Sequence, residues 1–143
     1  MFVRITRADP AVELPAYQTS GSVAFDLAPS EDCVIVPRSM ALVSTGLIIA
    51  TPPGYALLIA ARSSLFKKKG LLLANSVGVV DQDYCGPEDI LMLPLWNPGD
   101  TSVHIARGER LAQGFFTPIE RAEWQEGPAI TNASRGGHGS TGL

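Results

Sequence analysis

Several things are scarce in this chain of 143 residues, and each scarcity excludes something. The two cysteines, Cys33 and Cys85, are isolated, so a disulfide-stapled secreted scaffold is not expected. The two histidines, His104 and His138, have no cysteine at ligand spacing. With no H-x-E paired to a P-C-x-x-C, a zinc nucleoside deaminase is not expected either. No apolar run approaches the length of a membrane span, so no membrane partner is expected. Positive charge is in deficit, with 11 Lys and Arg against 14 Asp and Glu. That argues against a general nucleic-acid or anionic-membrane binder. It leaves room for a small anionic ligand, because a few arginines in one pocket outweigh the global sign. A Walker loop, a G-x-S-x-G and a dinucleotide fingerprint are all missing. The stretch Met1 to Arg7 lacks the apolar h-region of a signal peptide and is expected to form a first strand. Together with the isolated thiols, it points to a reducing, cytoplasmic setting. Helical periodicity is also missing. Only Ser63 to Lys69 could make a helical turn, too short to carry a fold.

What is present is the period of strands. Hydrophobic residues make up 45% and charged residues 17% of the chain, a globular composition sized for one domain. Short apolar runs cover Phe2 to Thr6, Val23 to Leu27, Cys33 to Val36, Met40 to Ala50 and Tyr55 to Ala61. Further runs cover Leu71 to Val80, Ile90 to Trp96, Thr101 to Ile105 and Leu111 to Phe116. Turn signals separate most of them, with Gly 14 and Pro 11 in all. That pattern predicts an all-β sandwich or barrel. Residues 1–130 are expected to form the β domain. Residues 131–143 have little to bury and are expected to form a separate arm, which bears Arg135, a hydroxyl pair and several glycines. Such an arm could wrap backbone N–H groups around phosphates, although a frayed terminus explains most such tails.

Five places carry side chains that a β-fold does not require. In Asn75 to Gly86 an apolar strand runs into a turn with an amide, Asp81, Asp83 and Tyr84. One of the two aspartates could act as a general base for water, or both could simply cap the turn. Asp26 sits inside the apolar run Val23 to Leu27, where a carboxylate must be paired, hydrogen-bonded or near a metal unless it faces water at a strand end. Arg62, Ser63 and Ser64 combine a guanidinium fork with hydroxyls and turn amides, which suits an anion, though a helix cap beside an exposed arginine fits as well. Lys67 to Lys69 is expected to be a solvated charge run. Glu109 and Arg110 look like an ordinary surface ion pair. Gln113, on the apolar strand that follows, is harder to dismiss because a buried amide needs partners.

Taken in order, these segments resemble the homotrimeric dUTP diphosphatase (dUTPase) family over nearly the whole chain. Gly21 to Leu27 is similar to the first family motif, Arg62 to Leu65 to the second and Asn75 to Gly86 to the third. Gly108 to Gln113 is similar to the fourth and Gly136 to Gly142 to the fifth. The resemblance implies a jelly-roll-like β-fold, a threefold trimer with active sites shared between subunits, and hydrolysis of dUTP to dUMP and pyrophosphate with Mg²⁺. It implies that Asp81 activates the attacking water, that Asn75 and the nearby strand backbone at Val80 read uracil, and that Tyr84 packs against the deoxyribose. Arg62, Ser63, Ser64 and Gln113 would bind phosphate oxygens, and Asp26 would hold the metal through its water ligands. The arm would close over the site, with Arg135 on the γ-phosphate, His138 on the base, and Gly139 and Ser140 alongside.

The chain departs from the family pattern in three places. His138 stands where the family usually has Phe, which predicts weaker closure that varies with pH near neutrality. Arg135 lies two residues nearer the glycine pair than usual. Pro87, Glu88 and Asp89 form an insertion before Ile90. Two other functions compete. A dCTP deaminase on the same fold would need a glutamate three residues before Asn97, and Pro94 stands there. A non-catalytic β-sandwich binding module would tolerate loss of Asp81.

Overall fold

Turn residues cut the apolar runs into short strands, and the pieces pair with partners far away in sequence. The computed structural model describes residues 1–129, 131–134 and 136. Among these are eleven strands and one short helix: β1 (Ile5–Arg7), β2 (Phe25–Leu27), β3 (Cys33–Ile35), β4 (Ser39–Ser44), β5 (Leu47–Ile49), β6 (Tyr55–Ala61), α1 (Leu65–Lys69), β7 (Leu72–Leu73), β8 (Val77–Val80), β9 (Met92–Asn97), β10 (Val103–Ile105) and β11 (Ala112–Pro118). All pairings are antiparallel. One sheet has the order β2-β11-β6-β8 and a second β4-β9-β7, while β1-β5 and β10-β3 form two-stranded pieces. The all-β class that the strand period predicts, and the jelly-roll-like fold that the family resemblance implies, are what the chain adopts.

Alternation places the core. On the first sheet Phe25, Leu27, Leu57, Ile59 and Val80 point inward, and on the second Val43, Leu73, Leu93 and Leu95 do so. Leu57, Leu71, Leu93 and Leu95 are fully buried, each contributing roughly 1.5–3 kcal/mol by leaving water. Gly114 serves this packing. Its missing Cβ would lie 2.7 Å from the Phe25 ring, so the ring occupies the space a larger residue would take.

Two runs that read as single strands in sequence are broken in space. The run Met40 to Ala50 divides into β4, paired with β9, and β5, paired with β1. The break is at Gly46, whose φ is +66°. A Cβ there would stand 2.8 Å from Val12 Cγ2 and 2.9 Å from Ser30 Cβ. Both the left-handed backbone and the close approach demand glycine. Gly46→Ala should therefore lower stability by about 3 kcal/mol, read as a drop in the urea midpoint with an unchanged slope.

The second broken run is Leu71 to Val80. Strand β7 pairs with β9 in one sheet, and β8 pairs with β6 in the other. Between them Ser76 takes a φ of +61°, and Val77 N donates to Asn75 O at 2.6 Å. The chain thus switches sheets at Asn75. It leaves β8 as an edge strand, hydrogen-bonded on one side only.

Candidate active site

The open edge of β8 and the turn after it line one cleft of about 240 Å³, together with the start of β9. Asn75, Val80, Asp81 and Tyr84, all singled out in the sequence, border it, along with Gly78, Ile59 and Met92. Gly78 leaves the floor open beneath the Asn75 amide: a Cβ there would come 3.4 Å from Asn75 Nδ2 and 3.3 Å from Ile59 Cβ. Asp81 follows β8 directly and is exposed. Its turn is held from behind, because Gln82 Nε2 donates to Tyr55 O at 3.1 Å and so ties the turn to β6. Tyr84 lies across the turn, and its hydroxyl donates to Ile90 O at 3.1 Å. The two aspartates separate here. Asp81 faces the cleft, whereas Asp83 does not line it and accepts Cys85 N through its backbone carbonyl at 3.0 Å. An exposed carboxylate beside an open strand edge can accept a proton, and the edge can exchange hydrogen bonds with a flat, polar ring.

The anion-binding candidates gather elsewhere. Asp26, at the centre of β2, is 11% exposed and bridges two arginines. Arg62 Nε approaches Asp26 Oδ1 at 2.9 Å, and Arg110 Nη1 approaches Asp26 Oδ2 at 3.1 Å. Pairing therefore explains this carboxylate in an apolar strand. Arg62 follows β6 and Arg110 precedes β11, so three strand ends are joined through one carboxylate. Ser63 and Ser64 continue from Arg62 into α1. Ser64 occupies the helix N-cap but makes no side-chain cap bond, so helix capping does not account for its hydroxyl. Gln113 is opposite both Asp26 and Ala60. It is half-buried and borders a recess with Thr19, Ser22 and Phe115.

Two expectations fail here. Glu109 and Arg110 do not pair with each other. Glu109 Oε1 meets Lys69 Nζ at 2.8 Å, and Arg110 turns to Asp26. Adjacent residues on an extended segment point in opposite directions, which separates them. Lys69 is accordingly not part of a solvated run, since it also donates to His104 O at 3.1 Å, while Lys67 and Lys68 stay exposed. Arg110 is the site residue that sequence reasoning missed. Its signal was the unexplained Asp26, which needed more than one partner.

The described chain does not bring the two groups together. Opposed residues across a sheet share a face. The row Asp26, Gln113, Ala60, Val77 lies on one face. The next row, Phe25, Gly114, Ile59, Gly78, lies on the other, which is the core face. Asp26 and Gln113 thus sit on the outer face, while the cleft of Asn75 and Asp81 opens at the β8 edge, beside Ile59 and Gly78 of the inner face and Val79 of the outer one, and neither Asp26 nor Gln113 lines it. Arg135, His138, Gly139 and Ser140 lie outside the described residues.

Among the described residues, no three His, Cys, Asp or Glu side chains cluster as metal ligands. Both Asp26 oxygens already accept from arginine, yet each keeps a second lone pair. Asp26 therefore suits a cation that retains its own waters, as Mg²⁺ does, and not one held directly by the protein. Among the described residues, one thiol away from both groups has a perturbed environment. Burial, then the Glu31 and Asp32 carboxylates, push the Cys33 thiol above its ordinary value. Its thiolate is scarce at neutral pH, so iodoacetamide at pH 7.5 should label Cys33 more slowly than free cysteine, with the gap closing as pH rises past the thiol range. Peptide mass spectrometry of the folded protein reads this directly.

Comparison with known proteins gives the arrangement a family. The dUTPase family model matches residues 11–142. The deoxyuridine 5'-triphosphate nucleotidohydrolase of Wolinella succinogenes is 40% identical over 144 residues, covering 99% of this chain and 95% of that protein. The crystal structure of dUTPase from Streptococcus mutans superposes with a TM-score of 0.78 at 32% identity, covering 85% of this chain and 98% of that one. The Staphylococcus bacteriophage 80alpha dUTPase with dUPNHPP gives a TM-score of 0.87 at 23% identity, over 99% of both chains, and so shares the fold. No helix among the described residues is long and apolar enough to cross a membrane. With a family match over nearly its full length and a relative of equal span at this identity, the chain belongs to the dUTPase family.

Proposed function

We propose that this protein is a dUTP diphosphatase, hydrolysing dUTP to dUMP and pyrophosphate, and so limiting uracil incorporation into DNA and supplying dUMP for dTMP synthesis. The observation that carries the reading is the single cleft that holds Asn75, Val80, Asp81 and Tyr84 beside an open strand edge. Uracil offers O2, N3–H and O4 in a row, which matches a strand edge and the Asn75 amide. Cytosine reverses two of those groups and would leave buried partners unmatched. Tyr84 packs against the deoxyribose and leaves no room for a 2′-hydroxyl. Asp81 takes a proton from water as its oxygen bonds to the α-phosphorus. The bond from that phosphorus to the bridging oxygen breaks, and pyrophosphate leaves with the electron pair.

Arg62, Ser63, Ser64 and Gln113 bind the phosphate oxygens, and Ser63 stabilises charge on the leaving oxygen. Mg²⁺, when bound, neutralises triphosphate charge, with Asp26 holding its water shell. Since the cleft of one chain includes none of the anion-group residues, we infer a homotrimer in which each site combines residues of different subunits. Apolar outer faces support this. Val79 is 65% exposed and Val77 47%, and the second sheet exposes Met40, Leu42 and Leu72 on its outer side. Residues 131–143 form the arm that closes each site through Arg135, His138, Gly139 and Ser140. The protein works in the cytoplasm.

The test is to incubate the protein with Mg²⁺ and each of dUTP, dCTP, dTTP and UTP, assaying pyrophosphate and ammonia. Pyrophosphate from dUTP alone is the expected result, and no turnover of any of the four would overturn the reading. Ammonia from dCTP would restore the deaminase, which Pro94 argues against because it brings no acid to the middle of β9.

A further inference from the structure

The segment Gly86 to Ile90 is a built turn and not a slack loop. Asp89 N donates to Gly86 O at 3.1 Å, and Gly86 N donates back to Asp89 Oδ2 at 2.7 Å. Backbone and side chain thus close the same ring from both directions. Gly86 is matched to it, since a Cβ there would stand 3.0 Å from Asp89 Oδ2 and push the carboxylate off its donor. The next residue on the ring is Ile90, with N donating to Glu88 O at 2.8 Å. The Ile90 carbonyl accepts the Tyr84 hydroxyl at 3.1 Å. Tyr84 borders the cleft, and it is otherwise on an exposed turn.

We infer that Asp89 is a positioning residue for sugar discrimination: by closing the Gly86–Asp89 turn it sets the Ile90 carbonyl, which anchors the Tyr84 ring at the sugar end of the cleft. The inference rests on the dUTPase reading above and gives a role to the Pro87–Asp89 segment. A ring hinged only at its own Cα and Cβ can swing aside for a 2′-hydroxyl. A ring tied at both ends cannot, and a ribonucleotide then meets a fixed wall. The anchor holds the Tyr84 hydroxyl through Ile90 O and makes no bond to the Asp81 carboxylate, so loosening it acts on which nucleotide is accepted and leaves the chemical step in place.

Steady-state kinetics of the full-length protein with Mg²⁺ and either dUTP or UTP, followed by pyrophosphate release, test this. Asp89→Ala should lower the dUTP-over-UTP ratio of kcat/KM about tenfold, the effect of losing one anchoring hydrogen bond. Its kcat on dUTP should stay within about threefold of wild type, because the general base is untouched. Asp89→Asn keeps an acceptor oxygen and should hold the ratio within about twofold. Tyr84→Phe keeps the ring, loses the anchor, and should lower the dUTP-over-UTP ratio by the same factor as Asp89→Ala, while the double variant should lower the ratio no more than either single one. An unchanged ratio in Asp89→Ala, an equal loss on both nucleotides, or independent losses in the double variant would each overturn the inference. A wild-type protein that does not hydrolyse dUTP overturns the function itself, which separates the two failures.

Discussion

Asp81→Asn should lose about 10²- to 10⁴-fold in kcat on dUTP, the usual contribution of a positioned general base. The amide has the shape of the carboxylate but cannot take the proton of the attacking water. Among the described residues nothing else in the cleft replaces it, since the other lining residues are Asn75, Tyr84 and apolar or glycine positions. Nucleotide affinity should change little, because in the proposed function the base is read by the β8 edge and Asn75, and the phosphates by residues outside this cleft. Loss of kcat with affinity retained is the signature of an interaction made mainly in the transition state. Pyrophosphate release gives the first number, and calorimetric titration with a non-hydrolysable dUTP analogue gives the second. Turnover near that of wild type would remove Asp81 from the chemistry and favour the reading as a binding module. The tie from Gln82 to Tyr55 O explains why this carboxylate, on a turn, is aimed at all.

The largest stability effect should come from Asn97, at the end of β9. Its side chain is buried at 1% exposure. Nδ2 faces three carbonyls, Ile35 O at 3.0 Å, Val36 O at 3.3 Å and Thr101 O at 2.8 Å, and Oδ1 accepts Gly99 N at 3.0 Å. One amide thereby satisfies the end of β3 and the turn that leads to β10. Truncation to alanine leaves a cavity and several buried backbone groups without partners. Each such group costs roughly 1–3 kcal/mol, so Asn97→Ala should lose about 4 kcal/mol or more. Asn97→Asp should do no better, because it replaces the donor with a buried negative charge facing carbonyl oxygens. Urea unfolding of both variants checks this, and a loss below about 1 kcal/mol would mean that water reaches these groups. Asn97 entered the sequence reading only as a landmark for Pro94. Its structural role depends on carbonyls some sixty residues away in sequence, at Ile35 and Val36.

That contrast runs through the whole chain. The all-β class was legible because alternation is a local property: a residue that faces the core at one position faces it again two positions on. Tyr55 to Ala61 could be read to the residue because local signals also bound it, the Pro52-Pro53-Gly54 turn before it and the polar Arg62-Ser63-Ser64 after it. The cleft residues Asn75, Val80, Asp81 and Tyr84 were legible for a related reason. They fall on one strand and one turn, so closeness in sequence is closeness in space. What sequence reading could not supply was partnership. The run Met40 to Ala50 keeps its inward parity across the break, with Val43, Leu47 and Ile49 all buried, whereas the run Leu71 to Val80 shifts from odd positions (Leu71, Leu73) to even ones (Gly78, Val80), a slip that an unbroken apolar run does not announce. Only the partners, β9 and β1 for the first run and β9 and β6 for the second, reveal the corners at Gly46 and Ser76. Likewise, Glu109 and Arg110 are neighbours in sequence and bind Lys69 and Asp26 in space. The tertiary structure alone decided that the cleft and the anion group lie at separate places on one chain, because that depends on strand pairing, which local sequence does not encode. The residue types and their order already carried the family and its chemistry. Which face each residue serves was settled only when distant strands paired, since pairing turns period-two alternation into a definite inside and outside.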